Sequence, residues 1–280
     1  MAQTIACANQ KGGVGKTTTV INLGTYLALA GLRVLVVDVD PQGNATSGLG
    51  IDRASLRGTL YDALSGSMPV ADVILPTGVG GLSIVPSSIS MAGAEVELTS
   101  TDQRERRLAR VLESLADDYD YILLDCPPSL GLLTVNALTA ADAVLIPLQC
   151  EFYALEGLTQ LIATVNLVRD NLNPDLEIKG VVLTMADART NLSADVSAEA
   201  RRHLGAVVFD TVVPRNVRLS EAPSFGLPIA LYGPESKGAE AYAALATELR
   251  GRNGTGGSGA SSVVLGSTEP RPATHAGSLS

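Results

Sequence analysis

Short runs of apolar residues alternate along this chain with longer stretches in which apolar positions recur every three or four residues. The runs at 4–8, 33–37, 82–85, 121–124, 143–148, 180–184 and 207–213 are rich in Val, Ile and Leu, which predicts strands. Segment 16–30 places Val20, Leu23, Leu27 and Ala30 on one face, and 108–115 and 155–167 behave alike, so the intervening segments read as helices. Strands alternating with helices imply right-handed crossovers and a mostly parallel sheet, whose ligands sit at the carboxyl ends of the strands. The expected class is α/β, a twisted sheet with helices on both faces. No internal repeat of fixed period breaks the pattern.

Composition sharpens this picture. Aromatic residues make up 4% of the chain and Trp is absent, so the core must be built from Val, Leu, Ile and Ala, as in a parallel sheet buried on both faces. A length of 280 residues with 46% hydrophobic content suits one large core rather than two. From about Gly251 the chain turns to Gly, Ser, Thr and Pro, too poor in large apolar groups to offset the entropy of ordering. The expected division is therefore a folded unit over 1–250 and a disordered tail over 251–280, with a short apolar element at Val263, Val264 and Leu265 as its one candidate recognition feature. No apolar stretch reaches the ~20 residues of a membrane span, and the first eight residues lack a basic-then-apolar leader, so a cytoplasmic protein is expected. Cys7, Cys126 and Cys150 have no CxxC spacing and border apolar runs, which predicts buried reduced thiols. The formal net charge of -9 repels nucleic acid and anionic lipid, so any polyanion must be met by a local basic patch.

The candidate chemistry begins after the first predicted strand, at residues 11–18, Lys-Gly-Gly-Val-Gly-Lys-Thr-Thr. Glycines let successive backbone N–H groups turn inward around phosphate oxygens, and the helix that follows adds the positive end of its dipole. Lys16 would supply a point charge to the β- and γ-phosphates, and Thr17 a hydroxyl to Mg²⁺. The common pattern GxxxxGK[ST] is not fully met, because Gln10 stands at its first position, and a second lysine, Lys11, precedes Lys16 by five. Two acids separated by one residue, Asp38 and Asp40, end the second predicted strand and point the same way, an arrangement suited to polarising water and organising Mg²⁺. Asp125 ends the run 121–124 as an acid at a strand tip, placed to hold Mg²⁺ or one of its waters. His203 and His275 lie near no motif, so no histidine base is assigned.

With its early lysine, the 11–18 segment resembles the deviant Walker A motif of the ParA/MinD ATPase family, and the resemblance covers roughly the first 250 residues in order. It implies a single-domain P-loop NTPase fold, an ATP hydrolase slow without a partner, and ATP and Mg²⁺ as cofactors. Lys11, Gly12, Gly13, Val14, Gly15, Lys16, Thr17 and Thr18 would bind the nucleotide, with Lys11 reaching across a homodimer to the partner's phosphates and Gly12 lying at that interface. The segment Asp38-Val39-Asp40-Pro41-Gln42-Gly43-Asn44 is similar to the family's nucleotide-sensing loop, which implies that Asp40 positions the attacking water while Asp38 supports the metal shell. Pro214 and Asn216 would line the adenine, with Met185 opposite.

Two outputs of the family differ in their ends. A MinD-like member closes with a basic amphipathic helix that lies on membrane, and the Gly/Ser tail here has no such face. Segments 187–192, 214–223 and 231–240 resemble the chromosomal ParA, or Soj, subgroup, which implies non-specific DNA binding by the ATP dimer, a ParB-type partner that stimulates hydrolysis, and nucleoid association when ATP is bound. Arg189, Arg215, Arg218 and Lys237 are the candidate phosphate-backbone contacts; each is an isolated cation, but a dimer presents every one twice. Rival readings are a membrane-surface or protein-cluster positioning ATPase, a regulatory scaffold that binds nucleotide and hardly hydrolyses it, and a redox relative like the nitrogenase iron protein, for which no suitably paired cysteines are evident.

Overall fold

A computed structural model describes residues 1–98, 102–151, 154–187 and 189–254. Among them, eight strands form one sheet: β1 (Gln3–Cys7), β2 (Val34–Asp38), β3 (Leu75–Pro76), β4 (Leu82–Val85), β5 (Tyr121–Asp125), β6 (Ala143–Gln149), β7 (Glu177–Ala186) and β8 (Val208–Pro214). Their order is β3-β4-β2-β5-β1-β6-β7-β8. Every pairing is parallel except β3 with β4. The continuous apolar character of the runs follows from burial on both faces: every residue of β2, β5 and β6 is buried.

Side-chain alternation along β1 divides the core in two. Ala6 and Ala8 join a cluster with Leu133, Ala137, Leu158 and Val165, while Ile5 and Cys7 join the opposite cluster with Leu23, Leu27, Tyr242 and Leu249. The second cluster seats the Lys16–Leu29 helix (α1), whose Thr19 hydroxyl hydrogen-bonds the buried phenol of Tyr242 at 3.2 Å. All three cysteines are free and buried, as their apolar surroundings predict.

β7 begins at Glu177, earlier than the apolar run at 180 suggests, and its pairing with β6 shifts register between Val144 and Leu145. The two-residue β3 carried no readable pattern; Pro76 cannot donate to a ladder and sits on an edge strand. The opposite edge, β8, is covered by side chains rather than by another strand. Glu248 accepts from the N–H groups of Asp210 and Thr211 at 2.8 and 2.9 Å, and Arg252 donates to the carbonyls of Val207 and Val208. Those two residues belong to the helix Lys237–Gly254, which continues past the compositional boundary at 251; residues 255–280, including the apolar element at 263–265, lie outside the described residues.

Gly180 is where β7 meets the Phe209 ring. A Cβ there would lie 2.8 Å from Phe209 Cδ2 and 2.9 Å from the Val207 carbonyl oxygen, and the Arg252 guanidinium lies over the same ring at 3.8 Å from its centroid. Gly180→Ala should therefore cost about 1–3 kcal/mol by overpacking, read as a lower midpoint in thermal unfolding. An unchanged midpoint would show that the ring can move aside freely.

Candidate functional site

The site is built where β2, β5 and β1 end together. Parallel pairing sets Asp38 opposite Asp125 and Asp125 opposite Cys7, so both acids arrive at the level at which the 8–15 loop leaves β1. In that loop Gly13 and Gly15 have φ of 76° and 91°, a left-handed conformation that side chains with a Cβ rarely adopt. The N–H groups of residues 13–18 find no acceptor among the described residues, while the Gly15 carbonyl starts α1 by accepting from Thr19 N at 2.8 Å. A row of unsatisfied donors at a helix N-terminus is an anion cradle.

The loop is held from outside. Asn9 accepts from Lys11 N at 3.0 Å and donates its amide to the Pro147 carbonyl at 2.7 Å; Thr184 donates to the Val14 carbonyl at 2.8 Å. Lys16, buried, lays its ammonium against the Lys11 carbonyl at 3.2 Å. Lys11 turns elsewhere, to Glu151 Oε2 at 2.8 Å, and the Gln149 amide holds the other oxygen of that carboxylate.

The three acids differ in their surroundings. Asp38 Oδ2 accepts from the backbone and hydroxyl of Thr46 at 2.8 and 2.7 Å, and Ser87 N secures that hydroxyl at 2.9 Å. Its Oδ1 has no hydrogen bond, nor has either oxygen of Asp125. Burial, with repulsion from Asp40, raises the Asp38 carboxyl to about 7 against the pull of the Thr46 hydrogen bonds. Burial and the neighbouring Asp38 raise Asp125 well above the usual carboxylate range, with Thr17 and Lys16 offsetting part of the rise. Three orphaned, fully buried carboxylate oxygens beside a phosphate-type loop fit a cation with its waters. Among the described residues no cluster of three or more His, Cys, Asp or Glu could hold a metal ion by itself. Asp40 Oδ1 accepts from Gln42 N at 2.9 Å, and Arg53 steadies the same loop by donating to the Gln42 carbonyl at 2.7 Å.

Three cavities open here. One of about 290 Å³ is lined by Gly12, Gly13, Gly15, Lys16, Thr17, Thr18 and Asp40, together with Gln42, Asn44, Pro128 and Met185. A second, about 310 Å³, brings together Met185, Pro214, Asn216, Thr184, Leu219 and Tyr242. The third, about 380 Å³, lies between α1, the helix Asn44–Gly48 and residues 222–227, with Thr17, Thr18 and Asn44 of the two motifs on its wall. Lys11, Val14, Asp38 and Asp125 line none of these three. Asn216 spends its side-chain oxygen on Arg218 N, which leaves its amide N–H groups for a ligand.

None of the four candidate DNA cations lines the phosphate cavity, and three have acid partners. Arg189 is gripped by Asp187 through two hydrogen bonds of 2.9 and 2.7 Å, which hold the Asp187 carboxyl well below its usual range; Arg218 pairs with Glu221 at 3.3 Å, and Lys237 with Glu240 at 2.9 Å. Arg215 sits at the rim of the second cavity. Sequence reasoning missed Asn9, which ties the loop to Pro147, then Glu151 and Thr184, which act on the loop from distant parts of the chain, and Arg53, which carries no motif.

A glycine-rich loop from a central strand into a helix, a buried lysine in its cavity, and acids at the tips of β5, beside that strand, and of β2, the next one along, define a P-loop ATP hydrolase. Residues 2–178 match the family model described as an AAA domain. The sporulation initiation inhibitor protein Soj of Bacillus subtilis is 59% identical over 249 residues, 89% of this chain and 98% of that protein. The chromosome partitioning protein ParA of Caulobacter vibrioides is 56% identical over 252 residues, 89% of this chain and 94% of that one. The chain belongs to the ParA/MinD family, in its ParA/Soj subgroup. Among solved structures, a Mycobacterium smegmatis protein described as cobyrinic acid a,c-diamide synthase, with bound ADP and magnesium, superposes with a TM-score of 0.81 at 39% identity, over 91% of this chain and 97% of that one. The cell division ATPase MinD of Pyrococcus furiosus gives 0.75 at 31%, over 90% and 99%. ATP and Mg²⁺ are the cofactors of this hydrolase.

A carboxyl whose folded pKa is raised favours the fold at low pH and loses that contribution as pH climbs from its ordinary value of 3.8 towards 7. In nucleotide-free, magnesium-free protein the melting temperature should therefore fall between about pH 5.5 and 7 more in wild type than in Asp38→Asn, by roughly 5 °C. Parallel curves for the two proteins would refute this origin.

Proposed function

We propose that this chain is an ATP-dependent dimerising ATPase of chromosome or plasmid partitioning. Its ATP dimer binds DNA without sequence preference, and hydrolysis, stimulated by a ParB-type partner, releases it. The observation that carries this reading is the division of labour between two lysines of one loop. Lys16 lines the phosphate cavity, whereas Lys11 is absent from it and holds a half-exposed ion pair with Glu151. Such an ion pair is worth about 0–1 kcal/mol, weak enough for a partner's triphosphate to displace.

In this reading the ATPase unit, expected over 1–250, runs on through Gly254 with its last helix, and the rest of 251–280 is a tail outside it. The N–H groups of 13–18 and Lys16 hold the phosphates, Met185, Pro214 and Asn216 face the adenine, and Asp40 orients the attacking water. Thr17 would hold Mg²⁺ directly, with Asp38 and Asp125 holding its waters; when bound, the ion neutralises charge developing on the phosphates. No histidine base is needed, since positioning and electrostatics carry the rate. Gly12 has room for a side chain within its own subunit, since a Cβ there would stand 4.0 Å from its nearest neighbour, Pro128 Cβ, so a bulky residue at this position would act on the partner. DNA output is favoured over membrane output because the helix Lys237–Gly254 is committed to β8 and α1 rather than left as a separate surface helix. The protein would then be cytoplasmic, and nucleoid-associated while ATP is bound.

Sizing with Mg-ATP tests the switch. Asp40→Ala should hold a dimer that wild type populates only transiently, and Gly12→Val in the Asp40→Ala background should return it to monomer while retaining bound nucleotide. A monomeric Asp40→Ala protein at high concentration would overturn the proposal. DNA retention by that dimer should fall at least tenfold between about 50 and 200 mM salt and weaken severalfold further in Arg189→Ala or Arg218→Ala. Salt-insensitive retention, or full retention in both variants, would remove the cationic patch from the proposal.

A further inference from the structure

We propose that Thr184 is a positioning residue for the phosphate loop: from the end of β7 it sets the direction in which the Gly15 N–H faces the nucleotide. The inference rests on the nucleotide-binding reading of the loop and goes beyond its motif residues, since Thr184 lies 170 positions from the carbonyl it holds.

The Thr184 hydroxyl donates to the Val14 carbonyl at 2.8 Å, with both residues buried to within 2% exposure. Thr184 cannot drift, because it stands opposite Gln149 in the β6–β7 ladder and its own carbonyl accepts from Cys150 N at 3.2 Å. A trans peptide is planar, with N–H and C=O on opposite sides. Fixing the Val14 oxygen towards Thr184 therefore fixes the Gly15 N–H away from it. The next peptide is fixed as well, since the Gly15 carbonyl accepts from Thr19 N at 2.8 Å. Gly15, at φ 91°, makes the bend between the two pinned carbonyls, and its N–H is among those with no acceptor in the described residues.

The need for an external anchor follows from the sequence. Gln10 stands where the common phosphate loop has its first glycine, and Asn9 secures that end of the loop to Pro147. Thr184 does the same for the other end. The loop is thereby held open before any phosphate arrives, and binding does not have to supply the cost of ordering it. Removing the hydroxyl would leave a buried carbonyl without a donor, and rotating the 14–15 peptide to relieve that would turn the Gly15 N–H out of the cradle.

Thr184 also lines the second cavity, so a direct contact with the base is the rival account. The test separates the two by pairing a nucleotide with an anion that has no base. Binding of Mg-ADP and of magnesium pyrophosphate is measured by calorimetry for wild type, Thr184→Val, which keeps the shape, and Thr184→Ser, which keeps the hydroxyl. The expected result is a five- to twentyfold loss of affinity in Thr184→Val, of the same factor for both ligands, with Thr184→Ser within twofold of wild type. Thr184→Ala replaces the valine variant if that does not fold. Loss for ADP alone would assign the hydroxyl to the base, and a lower melting temperature with unchanged affinities would make it merely structural; either overturns the proposal. Wild type that binds neither ligand would instead remove the nucleotide reading on which it rests.

Discussion

The register of three parallel strands is the constraint that assembles the site. β2, β5 and β1 are paired so that Asp38, Asp125 and Cys7 end at one level, and the chain after β1 leaves the sheet beside two carboxylates that lie far from it in sequence. A slip of one residue in either pairing would turn an acid to the other face of the sheet. The packing that prevents it is the division of the core into two clusters, each filled by alternate residues of the same strands.

What that register brings together is an unfinished electrostatic arrangement. Backbone donors without acceptors stand beside buried carboxylate oxygens without donors, and the pair does not satisfy itself. Leaving such groups unpaired destabilises a protein unless something binds, which is the usual signature of a ligand site. The raised proton affinities of Asp38 and Asp125 express the same imbalance, since each acid resists carrying a charge that only a cation could offset. The elements around the site are correspondingly rigid: Asn9, Thr184 and Arg53 fix backbone carbonyls or the segments carrying them, so the loops are formed by the protein and not by its ligand.

The acidic surface imposes a second condition. Three of the four cations proposed to meet DNA are held by acids of their own chain, which lowers the local potential while fixing the side chains in place. A single subunit with a net charge of -9 is thus a poor ligand for a polyanion, and only a local grouping of cations could overcome that repulsion. In the same way the pairing of Lys11 with Glu151 leaves the early lysine outside the cavity that its own loop lines.

Adjacent residues were enough to establish the α/β class, seven of the eight strands, the phosphate loop and the acids at the tips of β2 and β5, because these features are local: continuous apolar runs, glycine spacing and an acid at a strand end are each written within a few positions. Met185, Pro214 and Asn216 were grouped through family resemblance rather than through any periodicity, and the fold brings those three into one cavity. The tertiary structure was needed to establish that Thr184 holds Val14, that Asn9 is tied to Pro147, that Glu151 claims Lys11 and that Asp187 claims Arg189 with a fork rather than leaving it free. Two residues of β3 were too few to show a pattern, and the third cavity belongs to three segments at once. The physical reason is the same for each long-range tie and for the cavity: a hydrogen bond or a cavity wall is fixed by where side chains point once the strands have paired, and residues 138 or 170 positions apart share no local signal that foretells it.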